Sequence, residues 1–417
     1  MGTAKLFPRL AEDRVVEALG DTPVVLIHGP RQCGKTTLAR IVGDSRGFAY
    51  FTFDDDVVLA AATADPLGFV DRLPAHTILD EVQRVPALFT ALKTVVDRDR
   101  APGRFLLTGS ANVLLVPTLA DSLAGRMEIV RLHPLAQSEL ARGRSEFLDH
   151  LFAGHFDTAS RERLRRQLHD RIVAGGYPAA IARASGGRRA AWYRDYIETI
   201  VQRDVRELAR IRSLDVLPRL LEVAAGQTAQ LFNLSELAGP FQVSRPTIGD
   251  YVALLERVFL LERLPPWHSN RLKRLVKTPK LHLCDTGVAC ALLGYDAETL
   301  AGDGPALGSL LETFVVQEVR RQASGYDRSI RLHHFRDKDG AEVDLVLERD
   351  AKTLAGIEVK ASATVTAADF RGMRKLAAAA GKRFVAGVVL YDGETTAGFG
   401  NRLFSVPIRR LWDKSRS

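Results

Sequence analysis

Gly29-Pro30-Arg31-Gln32-Cys33-Gly34-Lys35-Thr36 decides the reading of the first third of the chain. It fits G-x-x-x-x-G-K-[ST] at every required position. The apolar run Val24–His28 ahead of it predicts a strand, and residues 36–42 predict a helix. In that context backbone N–H groups curl round phosphate oxygens, and the helix N-terminus adds partial positive charge. With Thr37 these residues form the expected ATP-binding loop. Lys35 would reach the β- and γ-phosphates, and the Thr36 hydroxyl would ligate Mg²⁺. Cys33 is not expected to act as a catalytic thiol, because its neighbours already form the phosphate cradle.

Thr77-Ile78-Leu79-Asp80-Glu81 is an apolar strand ending in two carboxylates about 45 residues after the loop. Asp80 would hold Mg²⁺ through water, and Glu81 would polarise the attacking water. A glutamate in second place favours hydrolysis over switch-like binding. Phe105-Leu106-Leu107-Thr108-Gly109-Ser110 predicts the next strand. Ser110 is the candidate sensor of the γ-phosphate there, an ordinary strand-to-helix turn being the alternative. Leu123-Ala124-Gly125-Arg126 closes the following helix. Arg126 would face a neighbouring protomer's nucleotide in a ring; the alternative is a helix C-cap followed by a surface arginine. Arg203, in a later helix, is a further candidate sensor.

Short apolar runs at 24–28, 49–53, 77–79, 105–108 and 127–132 alternate with helical patterns, so residues 1–140 predict a parallel α/β domain. Residues 141–270 read as helical and rich in Arg and Leu. Within about 205–265, a short helix at Leu234–Ala238 with a Ser cap, a turn at Gly239-Pro240, a second helix capped by Ser244 and an apolar tail give the winged-helix pattern. Arg245 and Thr247 would reach phosphates or base edges, unless the element only packs on the core. Arg271, Lys273, Arg274, Lys277 and Lys280, with Trp267 just ahead, form a basic segment that either tracks a phosphate backbone or is a solvated linker face.

Residues 271–417 return to α/β texture, with a helix at 308–322 and a hairpin turned by Asp339-Gly340. Glu342-Val343-Asp344 and Glu358-Val359-Lys360 fall on adjacent predicted strands, with thirteen residues between Asp344 and Glu358. Alternation puts Glu358 and Lys360 on one face. Asp344 and Glu358 would hold Mg²⁺, or Mn²⁺, with Glu312 completing the shell and Lys360 orienting the attacking water. This is the order of a restriction-nuclease-like core. A solvated face with a cross-strand ion pair is the alternative. His333-His334 ahead of the hairpin read as structural or as metal ligands.

Of the 417 residues, 46% are apolar and 26% charged, which excludes collagen-like and globally disordered chains. The apolar runs are strand-sized, far short of the roughly 20 residues of a membrane span. The first residues lack the apolar run of a signal peptide. Three cysteines (Cys33, Cys284 and Cys290) cannot make a disulfide framework, so a reducing, cytoplasmic location is expected. Residues 1–140 carry 15 Lys and Arg against 17 Asp and Glu, a balance of −2. Residues 141–417 carry 43 against 33, a balance of +10, so a polyanionic partner is expected there.

The loop 29–37, Ile78-Leu79-Asp80-Glu81-Val82-Gln83, Leu107-Thr108-Gly109-Ser110, Leu123-Ala124-Gly125-Arg126, Gly175-Gly176-Tyr177-Pro178, Leu311-Glu312-Thr313-Phe314-Val315, Glu342-Val343-Asp344 and Glu358-Val359-Lys360 occur in this order along the chain. Together they resemble prokaryotic AAA-type ATPases fused to a C-terminal domain of long-unassigned function. The resemblance implies an AAA-type core, a winged helix and a PD-(D/E)XK nuclease-like terminal domain, although Val343 stands where the signature has proline. The first function expected is therefore an ATP-driven, Mg²⁺-dependent nuclease acting on DNA. The alternatives are an ATP-dependent switch that binds DNA or protein through an inert nuclease-like domain, and a ring-forming ATPase that remodels protein.

Overall fold

The computed structural model describes residues 6–110, 123–206, 215–241, 243–270, 278–326 and 330–413. The chain divides into two compact units, one of residues 1–135 with Arg257–Phe259, the other of residues 136–256 and 260–417.

In the first unit five strands, β1 (Val24–His28), β2 (Ala49–Thr52), β3 (Thr77–Asp80), β4 (Phe105–Gly109) and β5 (Met127–Arg131), form a parallel sheet in the order β2-β3-β4-β1-β5. Strand alternation sends Val24, Leu26, Leu79, Phe105 and Leu107 to one face, where they pack on Leu88, Leu92 and Val95 of the helix Leu88–Arg98. It sends Val25, Ile27, Ile78 and Leu106 to the other, against the helices Glu12–Asp21 and Lys35–Asp44. Each fully buried Leu or Ile of this three-layer core contributes about 1.5–3 kcal/mol. Burial on both faces explains why β1 is apolar throughout rather than alternating.

In the second unit six strands pair in the order β13-β14-β12-β11-β10-β9: β9 (Arg331–Arg336), β10 (Glu342–Glu348), β11 (Leu354–Lys360), β12 (Phe384–Tyr391), β13 (Ala397–Gly398) and β14 (Leu403–Pro407). The first three form an antiparallel meander, and β11, β12 and β14 are parallel. The helix Arg371–Ala380 carries the chain from β11 to β12 and buries Met373 and Leu376 on the sheet beside Val343 and Val346. Gly340, at φ 75°, turns the β9–β10 hairpin. The β9–β10 register shifts between Val343 and Val346, so Asp344 sits in a bulge, a feature that re-aims side chains.

Ahead of this sheet the order is helix Val216–Gly226, β6 (Gln230–Leu231), helix Leu234–Ala238, helix Arg245–Arg257, β7 (Leu261–Leu264) and β8 (Lys280–Leu283). The strands pair as β6-β8-β7, all antiparallel. β8 lies beyond the expected boundary at 270, yet it is the central strand of this small sheet. The first short helix is capped by Asn233, whose side chain accepts from the Ser235 N–H, and not by the expected serine. Ser244 does accept from the Thr247 N–H in the second. Residues 136–256 and 260–270 lie in the same compact unit as the C-terminal sheet, while Arg257–Phe259 group with the first.

Candidate functional site

The loop 29–36 leaves the carboxyl end of β1 and enters the helix Lys35–Asp44 through Gly34 at φ 101°, a conformation that favours glycine. A Cβ on Gly29 would lie 2.1 Å from the Leu132 carbonyl oxygen, so only glycine lets the loop start this close to the end of β5. Lys35 is buried, its ammonium donating to the Gly29 and Pro30 carbonyl oxygens at 3.1 and 2.9 Å. Arg9 donates to the Cys33 carbonyl oxygen at 2.8 Å and braces the loop from outside. Cys33 is buried, and burial pushes its thiol up from the ordinary range, which keeps it protonated and inert.

Asp80 ends β3. It accepts from the Thr36 hydroxyl at 2.9 Å on one oxygen and 3.1 Å on the other. Thr108 donates to it as well. β4 lies between β1 and β3, and its Thr108 hydroxyl reaches across to the end of β3. Tyr50 of β2 is the third donor, at 2.9 Å. Its ring lies 4.9 Å beneath the Arg40 guanidinium. Burial and then the Asp80 carboxylate push the Tyr50 phenol up to about 12, so it remains a donor at any physiological pH. Thr36 and Asp80 offer only hard oxygen donors at the mouth of the phosphate loop. That set fits Mg²⁺, which would neutralise phosphate charge there.

Glu81 follows at φ 60°, its N–H donating to Thr108 at 3.1 Å. Gln83 donates to the Glu81 carboxylate and accepts from the Ser110 N–H at 3.3 Å. One carboxamide therefore ties the expected catalytic glutamate to the end of β4. Ser110 enters this network through its backbone, and its buried hydroxyl makes no hydrogen bond among the described residues. Sequence reasoning missed Tyr50, Thr108 as a ligand of Asp80, and Gln83. Only Gln83 left a signal, two residues beyond Glu81.

Arg126 precedes β5, at the amino end of the sheet, whereas the phosphate loop leaves the carboxyl end. Its guanidinium forms a two-pronged pair with Asp97, at 2.6 and 3.1 Å, and holds that carboxyl below its ordinary range. The expected finger is thus engaged within its own unit. Arg203 lies in the π-helical turn Ile200–Val205 of the second unit.

The C-terminal carboxylates gather, but round an ammonium. Lys280 of β8 lies 2.7 Å from Glu312, 3.0 Å from Glu342 and 3.3 Å from Asp344, with its side chain 4% exposed. The other Asp344 oxygen accepts from the Val359 N–H at 2.9 Å. Lys360 lies 3.7 Å from Glu358 and 3.6 Å from Asp369. One buried ammonium does not balance this many carboxyls. Burial and then the Asp344 charge hold Glu312 well above the usual carboxylate range, and the same causes push Glu358 up to about 9. Burial alone would lower Lys280, but Asp344, Glu312 and Glu342 outweigh it and raise it.

This corrects the expectation of a metal held by Glu312, Asp344 and Glu358. The Lys280 ammonium already donates to Glu312 and Asp344, two of the three carboxylates a divalent ion would need, and Glu358 faces the Lys360 ammonium instead. The cluster does not fit Mg²⁺ or Mn²⁺. Among the described residues no group of three or more His, Cys, Asp or Glu is arranged to hold a metal ion. Lys280, read from sequence as part of an exposed basic segment, is buried; residues 271–277 of that segment lie outside the described residues. His334 faces the Thr278 carbonyl oxygen at 3.1 Å and is pushed down to about 4, chiefly by burial. Asp285 is a satisfied knot, accepting from the Gly176 and Gly287 N–H groups, Tyr193 and Arg321. Among the described residues no helix is long and apolar enough to cross a membrane.

Residues 21–141 match a family described as an AAA domain. Residues 165–299 and 307–411 match two domains of unknown function, DUF8612 and DUF4143. The uncharacterized proteins Mb2031c of Mycobacterium bovis and Rv2008c of Mycobacterium tuberculosis are each 32% identical over 404 residues, 97% of this chain and 84% of theirs. The uncharacterized protein MJ1544 of Methanocaldococcus jannaschii is 22% identical over 344 residues, 79% of this chain and 73% of its own. The Walker-type ATPase PABY2304 of Pyrococcus abyssi is similar over 70% of this chain and 97% of that one, at 17% identity and a TM-score of 0.43.

Proposed function

The chain belongs to the family of AAA-domain proteins that includes Mb2031c and Rv2008c, and from that premise we propose that it is an ATP-hydrolysing switch whose second unit binds nucleic acid without cutting it. The hydrolytic half rests on the convergence of Lys35, Thr36, Asp80 and Glu81 at the carboxyl ends of β1 and β3. Lys35 would hold the β- and γ-phosphates. Asp80 and Thr36 would hold Mg²⁺, and Glu81, steered by Gln83, would orient the attacking water.

The observation that carries the binding half is Lys280 among Glu312, Glu342 and Asp344. A nuclease-like cluster whose cation is a lysine side chain cannot activate water as a bound metal does. The helix-strand-helix-helix-strand-strand order from Val216 to Leu283 supports a winged helix. Its third helix begins at Arg245, which lines a cleft of about 860 Å³ together with Lys280 and Arg336 and with the carboxylates of Glu236, Glu312, Glu342 and Asp344. The +10 balance of residues 141–417 supports a polyanionic partner over a protein one.

The test is DNA affinity of the full chain with ATP and with ADP, beside Lys35→Ala. The proposal expects the two nucleotides to give affinities differing at least fivefold in wild type and equal ones in Lys35→Ala. Equal affinities in wild type would remove the switch.

A further inference from the structure

Arg163, Arg165, Arg166 and His169 line a second cleft, of about 400 Å³, which neither the nucleotide site nor the Lys280 cluster uses. It opens where β11 and β12, parallel neighbours, end: Ala361 and Asp392, each one residue past its strand, complete the wall. Crevices at the carboxyl ends of parallel strands are where open α/β sheets take ligands.

Two carboxylates also line this cleft, and they differ in what they do. Asp392 is buried and fully engaged: it accepts from the Leu164 N–H at 2.9 Å and the Arg165 N–H at 3.0 Å, and lies 3.7 Å from the Arg163 guanidinium. Arg163 also donates to its carbonyl oxygen at 2.8 Å. Glu298 is the other, and it shares the lining with Arg165 and Arg166. Both arginines are exposed. Arg166 acts on Asp296 only at longer range, that carboxyl being held down first by the Thr299 N–H and hydroxyl.

The backbone makes Arg165 conspicuous. Its φ of 49° and ψ of −123° place it in a region where glycine is comfortable and a side chain is strained. The two N–H bonds to Asp392 hold it there. Glycine would make the same turn at lower cost, and among the described residues the Arg165 side chain makes no hydrogen bond or ion pair that offsets the strain.

We propose that this cleft binds the phosphodiester backbone of a nucleic acid, with Arg165 and Arg166 as its phosphate contacts. The inference rests on the nucleic-acid reading above and says where on the second unit the backbone lies. Guanidiniums present paired N–H donors to phosphate oxygens. Two consecutive ones on an open rim suit successive phosphates of a chain, and the +10 balance of residues 141–417 supplies the wider attraction. Free phosphate or a mononucleotide offers the same chemistry, so the test must separate these sources.

The experiment measures binding of labelled single-stranded and duplex DNA to the full chain by fluorescence anisotropy, across a salt titration. Wild type is compared with Arg165→Gln/Arg166→Gln and with Arg165→Gly, and ATP turnover without DNA reports intact folding. The double variant should bind at least tenfold more weakly near physiological salt, with a log–log salt slope shallower by about two. Arg165→Gly relieves the backbone while removing the guanidinium, so it should raise or keep the melting temperature and still weaken DNA binding severalfold. AMP and inorganic phosphate at millimolar concentration should not displace DNA at constant ionic strength. Unchanged affinity and slope in both variants, with wild type binding DNA, would overturn the cleft and leave the nucleic-acid reading standing. Displacement by AMP would make it a mononucleotide site instead. No binding of any nucleic acid by wild type would overturn both.

Discussion

Lys280 donates to Glu312 across 2.7 Å, joining the central strand of the small antiparallel sheet to the long helix Gly304–Ser324. The contact ties two parts of the second unit through charge rather than apolar packing. It also places a cation where the sequence pattern calls for a metal. Breaking a buried pair from one side leaves charges uncompensated, which costs about 3–5 kcal/mol. Lys280→Met keeps the length of the side chain and removes its charge. The variant should unfold at lower temperature or denaturant than wild type by an amount in that range. Millimolar Mn²⁺ should restore part of the loss in the variant and leave wild type unchanged. Differential scanning calorimetry with and without the ion reads both effects; an equal Mn²⁺ response in the two proteins would mean that Lys280 does not hold the cation position.

Glu358 makes stability depend on pH in a direction opposite to that of an ordinary paired carboxylate. Its folded pKa is raised from 4.5 to about 9 by burial and by Asp344. Between those values the folded state holds a proton that the unfolded state has released. Stability from this group is therefore complete below pH 4.5 and declines as pH rises towards 9, by at most about 1.4 kcal/mol per pH unit. Urea midpoints measured from pH 6 to 9 should fall for wild type. In Glu358→Gln the decline should be shallower and stability at pH 8 higher. A wild-type midpoint that rises over this range would contradict the assignment.

Tyr50 donates to Asp80 from the neighbouring strand and so positions its carboxylate. In Tyr50→Phe the carboxylate keeps its Thr36 and Thr108 donors and loses the shorter of the two bonds to its second oxygen. Such a hydrogen bond to a charged carboxylate is worth about 1.5–3 kcal/mol, of which only part reaches the bound ion. The Mg²⁺ concentration giving half-maximal binding of a fluorescent ATP analogue should rise three- to tenfold, while Mg²⁺-free nucleotide affinity stays within twofold. An unchanged Mg²⁺ requirement would reduce Tyr50 to a packing residue.

The nucleotide site was legible because its determinants are local. A loop of fixed spacing, the strand before it and the carboxylates of β3 each read within ten residues, and the parallel sheet follows from their alternation with helices. What was not legible depends on residues meeting from distant strands. Lys280 looks like one more member of a basic run until β8 pairs between β6 and β7 and turns it inward. Asp344 reads as a metal ligand on a regular strand, and neither the register shift against β9 nor its Lys280 partner can be seen in sequence. Arg126 carries no sign of Asp97, its partner on the helix Leu88–Arg98, and Tyr50 gives none of its bond to Asp80 across neighbouring strands. The strain at Arg165 is invisible in sequence because nothing near it is glycine.

In the proposed function ATP is hydrolysed at Lys35, Thr36, Asp80 and Glu81, while the carboxylate cluster held by Lys280 cuts nothing. One preparation of wild type, assayed in parallel for ATP turnover and for cleavage of plasmid and linear DNA with Mg²⁺ or Mn²⁺, tests both halves. Wild type should turn over ATP, Glu81→Gln should do so at least a hundredfold more slowly, and DNA should stay intact in every lane. DNA cleavage that disappears in Lys360→Ala would contradict the proposed function, and would return the second unit to a metal-dependent nuclease.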